Sequence, residues 1–254
     1  MYISYKKHGI RIGQVWFEEE WKKTKPCPAL VLFHGMKERE DGNDAKTERF
    51  HTLTNDLSLS EEELYSGIHK NVRYEIRKNE KEPMEIRVFE AQELLRSPER
   101  LQELEAMYEA LYRSKGMNQR LNHEQLLCYA KTGALVLTQV LSQEQILVIH
   151  SYLTDGNQTR LLHSVSEFRD GTCDASLVAR ANKRLHWEDM KLFKERGVSL
   201  YDWGGISDPD HPNGIDAFKM KFGGKPLTYY NVLKGITVLG RLGIRVMKLK
   251  NKSA

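Results

Sequence analysis

The chain has 254 residues, 39 of them Lys or Arg against 35 Asp or Glu, with 40% hydrophobic and 9% aromatic residues. This composition supports a folded core and excludes collagen-like, low-complexity and charge-dominated disordered chains, while the length allows one large domain or two small ones. No run reaches the ~18 apolar residues of a membrane-spanning helix. The opening residues (Met1-Tyr2-Ile3-Ser4-Tyr5-Lys6-Lys7-His8) lack the apolar centre of a secretion signal. Cys27, Cys128 and Cys173 are too few and too scattered for a disulfide framework or a zinc signature, so reduced thiols in a cytoplasmic protein are expected.

Residues 1–58 read as short β segments, Gly9 to Phe17 and Ala29 to Phe33, with Lys37 to Glu48 as a charged loop and a third run at Phe50 to Thr54. Ser60 and Glu63 form a capping box, and Leu64, Ile68, Val72 and Ile76 follow at every fourth position of one basic helix reaching Lys78. Met84 to Phe89 alternates as a strand. Ser97 with Pro98 starts a helix whose buried face carries Leu101, Leu104, Tyr108 and Leu111, and Gly116 ends it. Asn122 with Gln125 starts another, which stops at Gly133.

Three strands then follow closely: Ala134 to Leu141, Gln145 to Leu153 and Thr159 to Val165. Their links are short enough for an antiparallel meander. A long helix is predicted from Ala175 to Arg196, then a strand from Val198 to Trp203 ending in Gly204-Gly205. Asn231 to Lys252 reads as a docking helix weakened by Gly235, Gly240 and Gly243, each costing about 1 kcal/mol relative to alanine. The net charge is +4, yet nine of the basic residues and none of the acidic ones fall between Ala217 and Ala254. Such a basic end predicts an anionic partner: phosphate, nucleic acid or lipid headgroup.

From Met84 onward the order is β-α-α-β-β-β-α-β, the order of the GNAT acyltransferase fold. Leu200-Tyr201-Asp202-Trp203-Gly204-Gly205, followed by Gly214-Ile215-Asp216-Ala217-Phe218-Lys219-Met220-Lys221-Phe222-Gly223-Gly224, resembles the C-terminal motif of the Fem-type branch of GNAT-like transferases. His69 to Lys78 is similar to the same branch's basic helix. The resemblance covers residues 52–230. It implies an α+β fold: a mixed, mostly antiparallel sheet flanked by helices, with a small β-rich N-terminal part. The domains expected are 1–58, a reduced half, and 59–254, the transferase domain.

The activity implied is acyl or aminoacyl transfer to an amine of a cell-envelope building block. Room for one full half points to an acyl-CoA-dependent N-acyltransferase acting on a nucleotide-linked amino sugar for surface polysaccharide, with no metal. The alternative is a Fem-like enzyme that draws on aminoacyl-tRNA and acts on a peptidoglycan precursor. A third reading is a non-catalytic module that binds anionic lipid or nucleic acid through the basic end. A homodimer and peripheral membrane contact through that end are further expectations. One departure from GNAT proteins is the loop Arg169-Asp170-Gly171-Thr172-Cys173-Asp174-Ala175. It lacks the glycine spacing that lets helix N-terminal amides hold a pyrophosphate.

In GNAT-type sites the third meander strand and the strand after the crossover helix part, and the acyl carrier lies between them. The residues there are His163, Ser164, Val165 and Ser166 on one side and Tyr201, Asp202 and Trp203 on the other. His163 and Asp202 are the candidate proton acceptors, because amine attack on a thioester needs one. Ser164, Val165, Ser166, Arg169 and Gly171 are expected at the acyl carrier. Tyr201 and Trp203, with Gly204 and Gly205, are expected at the acceptor. Lys219 and Lys221, read as neighbours on one side of an extended chain, would neutralise a diphosphate. Arg73 and Arg77, four apart on a helix, would hold a second phosphate pair of the substrate. P-loop, nucleophile-elbow and zincin motifs are absent from the sequence.

Overall fold

A computed structural model describes all residues except 19–20, 23, 41, 168–173 and 253–254. In chain order the elements are β1 (Tyr2–Lys7), β2 (Ile10–Trp16), β3 (Leu30–Met36), β4 (Ala45–Asp56), α1 (Glu61–Gly67), α2 (Lys70–Asn79), β5 (Glu85–Glu90), α3 (Ala91–Arg96), α4 (Glu99–Ser114) and α5 (His123–Lys131). There follow β6 (Leu135–Ser142), β7 (Gln145–Thr154), β8 (Gln158–Ser166), α6 (Ala175–Glu195), β9 (Leu200–Ile206), α7 (Gly214–Met220), β10 (Lys225–Gly235) and α8 (Val238–Lys252).

The residues group into two units. One holds Met1–Thr52 with Pro226–Ala254, the other Leu53–Lys225. The grouping differs from the expected 1–58 and 59–254 because β10 runs antiparallel to β3, pairing Leu233 with Leu32 and Gly235 with Leu30. That ladder ties the end of the chain to its first strands. In this unit the strand order is β1-β2-β3-β10-β4, with β2 and β3 parallel. Its core is Val15, Val31, Phe33, Ala45 and Val232.

In the unit Leu53–Lys225 the order is β9-β8-β7-β6-β5, with the end of β4 beside β9. The meander β6 to β8 is antiparallel as the short links predict, and β5 adds antiparallel to β6 at its edge. The crossover through α6 returns β9 parallel to β8. The Ser60–Glu63 capping box forms as expected, and Asn122 caps α5 by accepting from the Gln125 amide. The expected single helix from Ser60 to Lys78 is two, α1 and α2, because Ile68 is extended and His69 caps a fresh start. Leu64, Ile68, Val72 and Ile76 are all buried in one cluster with Trp187, Phe193, Tyr201, Trp203 and Phe222, which explains their spacing despite the break. The expected loop Lys37 to Glu48 is shorter, since β4 begins at Ala45.

The larger correction concerns the run Phe218 to Phe222. It is not extended: Asn213 and Asp216 form a second capping box and start α7. Phe218 and Phe222, four apart, then meet at 5.5 Å on one face, and Phe222 is fully buried. Asn231 to Lys252 is likewise not one helix but the end of β10 followed by α8.

Candidate active site

The site arises where β8 leaves β9. Their parallel register runs Gln158↔Leu200, Thr159↔Tyr201 and Arg160↔Asp202. On its other edge β8 shifts register against β7, from Tyr152↔Leu161 to Ser151↔His163, so Leu162 is an extra residue, a β-bulge. A bulge bends its strand and re-aims the following side chains. It comes two residues after the last β8–β9 pair, and it brings Leu161, Ser164 and Ser166 to one cavity although 161 and 164 differ by an odd number. Gly204 has φ +68°, and a Cβ built there would lie 2.6 Å from the Leu161 carbonyl oxygen, so β9 passes this point only as glycine.

The cavity has a volume of about 300 Å³. Besides the three β8 residues, Asn182 and His186 of α6 and Phe218 and Lys219 of α7 line it, with Lys115 at the end of α4. Among the described residues the lining carries two ammonium groups, two hydroxyls and no carboxylate. That environment suits a carbonyl or an anion.

Lys219 is anchored. Its Nζ donates to the carbonyl oxygens of Trp203 at 2.9 Å and Gly205 at 2.8 Å, which leaves one of its three N–H donors for the cavity. Burial pulls its pKa below the usual lysine range, opposed in part by the charges of Asp202 and Asp216.

Beneath the cavity lies a buried polar network that the sequence reading missed. His150 Nδ1 is 2.7 Å from Asp189 Oδ2, and its Nε2 is 2.8 Å from Asn182 Oδ1. The Tyr152 hydroxyl donates to the same Asp189 oxygen at 2.6 Å, so the Tyr201 hydroxyl, 2.8 Å away, is the donor to Tyr152. Desolvation holds both tyrosine pKa values well above the ordinary phenol range, with the Asp189 charge adding to the effect. His186 stacks on His150 at 4.0 Å, and its buried Nδ1 has no hydrogen-bond partner. Burial, then His150, pushes its pKa well down and keeps the imidazole neutral. The available signal was Asn182, His186 and Asp189 at i, i+4 and i+7, a polar stripe on the core-facing side of an amphipathic helix.

The expected site residues separate into two groups. Ser164, Ser166 and Lys219 line the cavity, while Gly204 passes the Leu161 carbonyl and the Gly205 carbonyl accepts from Lys219. Asp202 is buried with its Oδ2 held by Arg160 Nε at 2.8 Å and Nη2 at 2.7 Å, while its Oδ1 accepts the Gly204 amide at 2.8 Å. Tyr201 and Trp203 are fully buried rather than an acceptor platform, and Trp203 donates to Asn55 Oδ1 at 2.7 Å. Val165 is buried in the core.

His163 lies on the other face of β8, 2.8 Å from Ser151 Oγ and edge-on to Tyr108. Burial lowers its pKa to about 4. Lys221 caps the end of α7 and is exposed, so helical geometry takes it away from Lys219. Arg73 leans over Tyr65 and donates to the Ser66 carbonyl at 3.4 Å, while Arg77 is exposed on α2. Arg169 and Gly171 lie outside the described residues. Asp174 caps α6 by accepting the Ser176 amide at 2.8 Å. Its carboxylate therefore stands at the N-terminus of α6, and the loop before it, residues 168–173, lies outside the described residues.

The fold is GNAT-like. FemX aligns at TM-score 0.54 and 15% identity over 72% of this chain and 61% of its own, so the chain spans less than two thirds of that protein. The C-terminal domain of a putative lysylphosphatidylglycerol synthetase from Agrobacterium fabrum aligns at TM-score 0.54 and 12% identity over 87% and 72% of the two chains. L-PGS from Bacillus licheniformis aligns at 0.51 and 15% identity, with the same coverage of the two chains. No protein-family model and no curated protein matches the sequence.

Proposed function

We propose that the chain is an N-acyltransferase that joins an acyl group to an amine in the gap between β8 and β9. The observation that carries this reading is the cavity at their parting, with Lys219 fixed at its wall by two carbonyls. An incoming neutral amine attacks the acyl carbonyl, the C–N bond forms, and the bond to the carrier breaks. The proton lost by the amine ends on the departing group or on water. The remaining Lys219 donor stabilises the developing oxyanion, a contribution worth about 10²–10³ in rate where such donors have been removed elsewhere. Neither His163 nor His186 is a strong proton acceptor: His163 is pushed to about 4 and His186 well down. Asp202 holds β9 at the branch point.

The donor we favour is acyl-CoA and the acceptor a nucleotide-linked amino sugar, for surface-polysaccharide synthesis in the cytoplasm. A second reading, aminoacyl transfer from charged tRNA, is favoured by two observations. Asp174 puts a carboxylate at the α6 N-terminus, where it would oppose a CoA pyrophosphate, and the structures aligning above TM-score 0.5 include FemX and lysylphosphatidylglycerol synthetases. Calorimetry with acetyl-CoA and free CoA, beside transfer of labelled amino acid from charged tRNA, separates the two. Saturable CoA binding supports the first; labelled product without CoA binding supports the second. Failure of both with intact protein removes the acyltransferase reading.

A further inference from the structure

The helix α8 shows a pattern that acyl transfer does not use. Val238, Leu239, Leu242, Val246 and Leu249 are exposed at 85%, 66%, 57%, 46% and 66%. At roughly 100° per residue these five fall within an arc of about 100°, a continuous stripe rather than scattered side chains. Roughly opposite lie Gly240 and Ile244. Ile244 is fully buried, and a Cβ at Gly240 would collide with the Ala29 carbonyl oxygen, so this is the side by which the helix packs on its own unit. The exposed stripe is therefore not a core face left over from the docking; the helix has one seam inward and a second apolar face turned out.

The stripe is bordered by cations. Arg241, Arg245 and Lys248 run along one edge, three and four residues apart, and α8 contains no acidic residue. Arg241 and Arg245 share Asp44 at 3.6 and 3.1 Å, yet both remain more than half exposed. Lys248 reaches the Gly42 carbonyl. Exposed leucines and valines in such a stripe cost free energy in water unless something covers them. A border of one sign asks for a covering surface that is anionic at its edge and apolar in depth.

We propose that α8 is an interfacial helix that lies in the surface of an anionic lipid bilayer, with Leu239, Leu242 and Val246 in the acyl region and the arginines among the headgroups. Charge complementarity selects this occupant over a second copy of the chain, whose matching helix would bring like charges together. The proposal is independent of the transfer reaction and stands or falls without it.

Co-sedimentation of the full chain with vesicles tests it, using neutral phosphatidylcholine and mixtures containing one third phosphatidylglycerol. Binding is expected to the mixed vesicles and to fall at least tenfold between low and 1 M salt, as the screening length drops to about 3 Å. Leu239→Asp with Leu242→Asp should abolish binding while leaving circular dichroism and melting unchanged, since both positions are exposed. Arg241→Gln and Arg245→Gln should each weaken it about fivefold. Equal binding to neutral and anionic vesicles, or binding to neither, overturns the proposal. So does a dimer in solution that the leucine variants convert to monomer, because a second copy would then cover the stripe.

Discussion

Replacing Arg160 by leucine tests whether Asp202 is half of a buried ion pair or a reacting carboxylate. The two side chains are 8% and 5% exposed, and both guanidinium contacts converge on one carboxylate oxygen. Removing one partner of a buried pair costs about 3–5 kcal/mol, mostly because the other charge stays behind in a poorly solvated place. Here Asp202 keeps the Gly204 amide, and it lies near enough to Lys219 to act on that lysine's pKa. The loss therefore belongs at the lower end, about 3 kcal/mol. For a domain of this size each kcal/mol moves the melting temperature by about 2–4 °C, so Arg160→Leu should melt roughly 6–12 °C lower.

The control is Arg160→Leu with Asp202→Asn. Asparagine keeps an oxygen for the Gly204 amide but carries no charge, so the double variant should recover at least half of the loss. Differential scanning calorimetry reads both. A melting point within 2 °C of the parent for Arg160→Leu, or losses that simply add in the double variant, would refute the ion-pair argument. Activity supplies a second axis. Asp202→Asn assayed well below its melting point should keep turnover within about tenfold, whereas loss of a general base costs about 10²–10⁴. A folded, unmelted Asp202→Asn protein with that larger loss would return Asp202 to the chemistry.

Lys219→Met should lower kcat by about 10²-fold with a much smaller change in KM, measured under saturating donor, because it removes the donor proposed to act on the oxyanion. Gly204→Ala should lose about 2 kcal/mol or more in chemical denaturation, since alanine resists the left-handed backbone and its Cβ meets the Leu161 carbonyl. Tyr201→Phe should cost about 1 kcal/mol, the net worth of the hydroxyl donated to Tyr152. The pH dependence has a definite sign. His163 titrates at about 4 when folded against 6.5 for a free histidine, so the unfolded chain takes up its proton first as pH falls. Stability contributed by His163 is present above pH 6.5 and is lost between 6.5 and 4; His186 acts in the same direction. Melting temperatures across that window should fall, and His163→Gln should flatten part of the fall.

What the sequence made legible was local. The capping residues Ser60 and Asn122 mark their helices because a cap needs only a side chain and an amide three residues on. The meander was readable because short links leave antiparallel neighbours few alternatives. The run Phe218 to Phe222 misled because lysines alternating with apolar residues satisfy period two, while Phe218 and Phe222 also satisfy a helical i, i+4 pair. The deciding signal stands upstream, in Asn213 and Asp216, the same motif that marks the start of α1 at Ser60 and Glu63. The bulge at Leu162 could not be read, since a bulge is a property of two strands' register. The roles of Asp202 and Tyr201 were hidden for a related reason. Their partners Arg160 and Tyr152 are 42 and 49 residues away in the chain, and only the assembled sheet brings them together.

These partners also explain how an opening persists in a well-packed unit. Strands that part expose backbone groups and invite collapse, so the branch needs supports on every side. On β8 the bulge turns the chain away. On β9 Gly204 passes under the Leu161 carbonyl, and Asp202 ties the strand back to Arg160 at the last shared pair. From α7, Lys219 takes the carbonyls of Trp203 and Gly205, groups at the stretch where β9 has left β8. The lysine proposed to act on the oxyanion is therefore also a replacement for the missing strand partner, with two of its donors committed to structure. Lys219→Arg separates the two tasks: a planar guanidinium retains donors for two carbonyls but presents the rest in a fixed fork. Stability should then stay close to the parent while kcat falls, and a variant that keeps full turnover would mean that the lysine is a brace and nothing more.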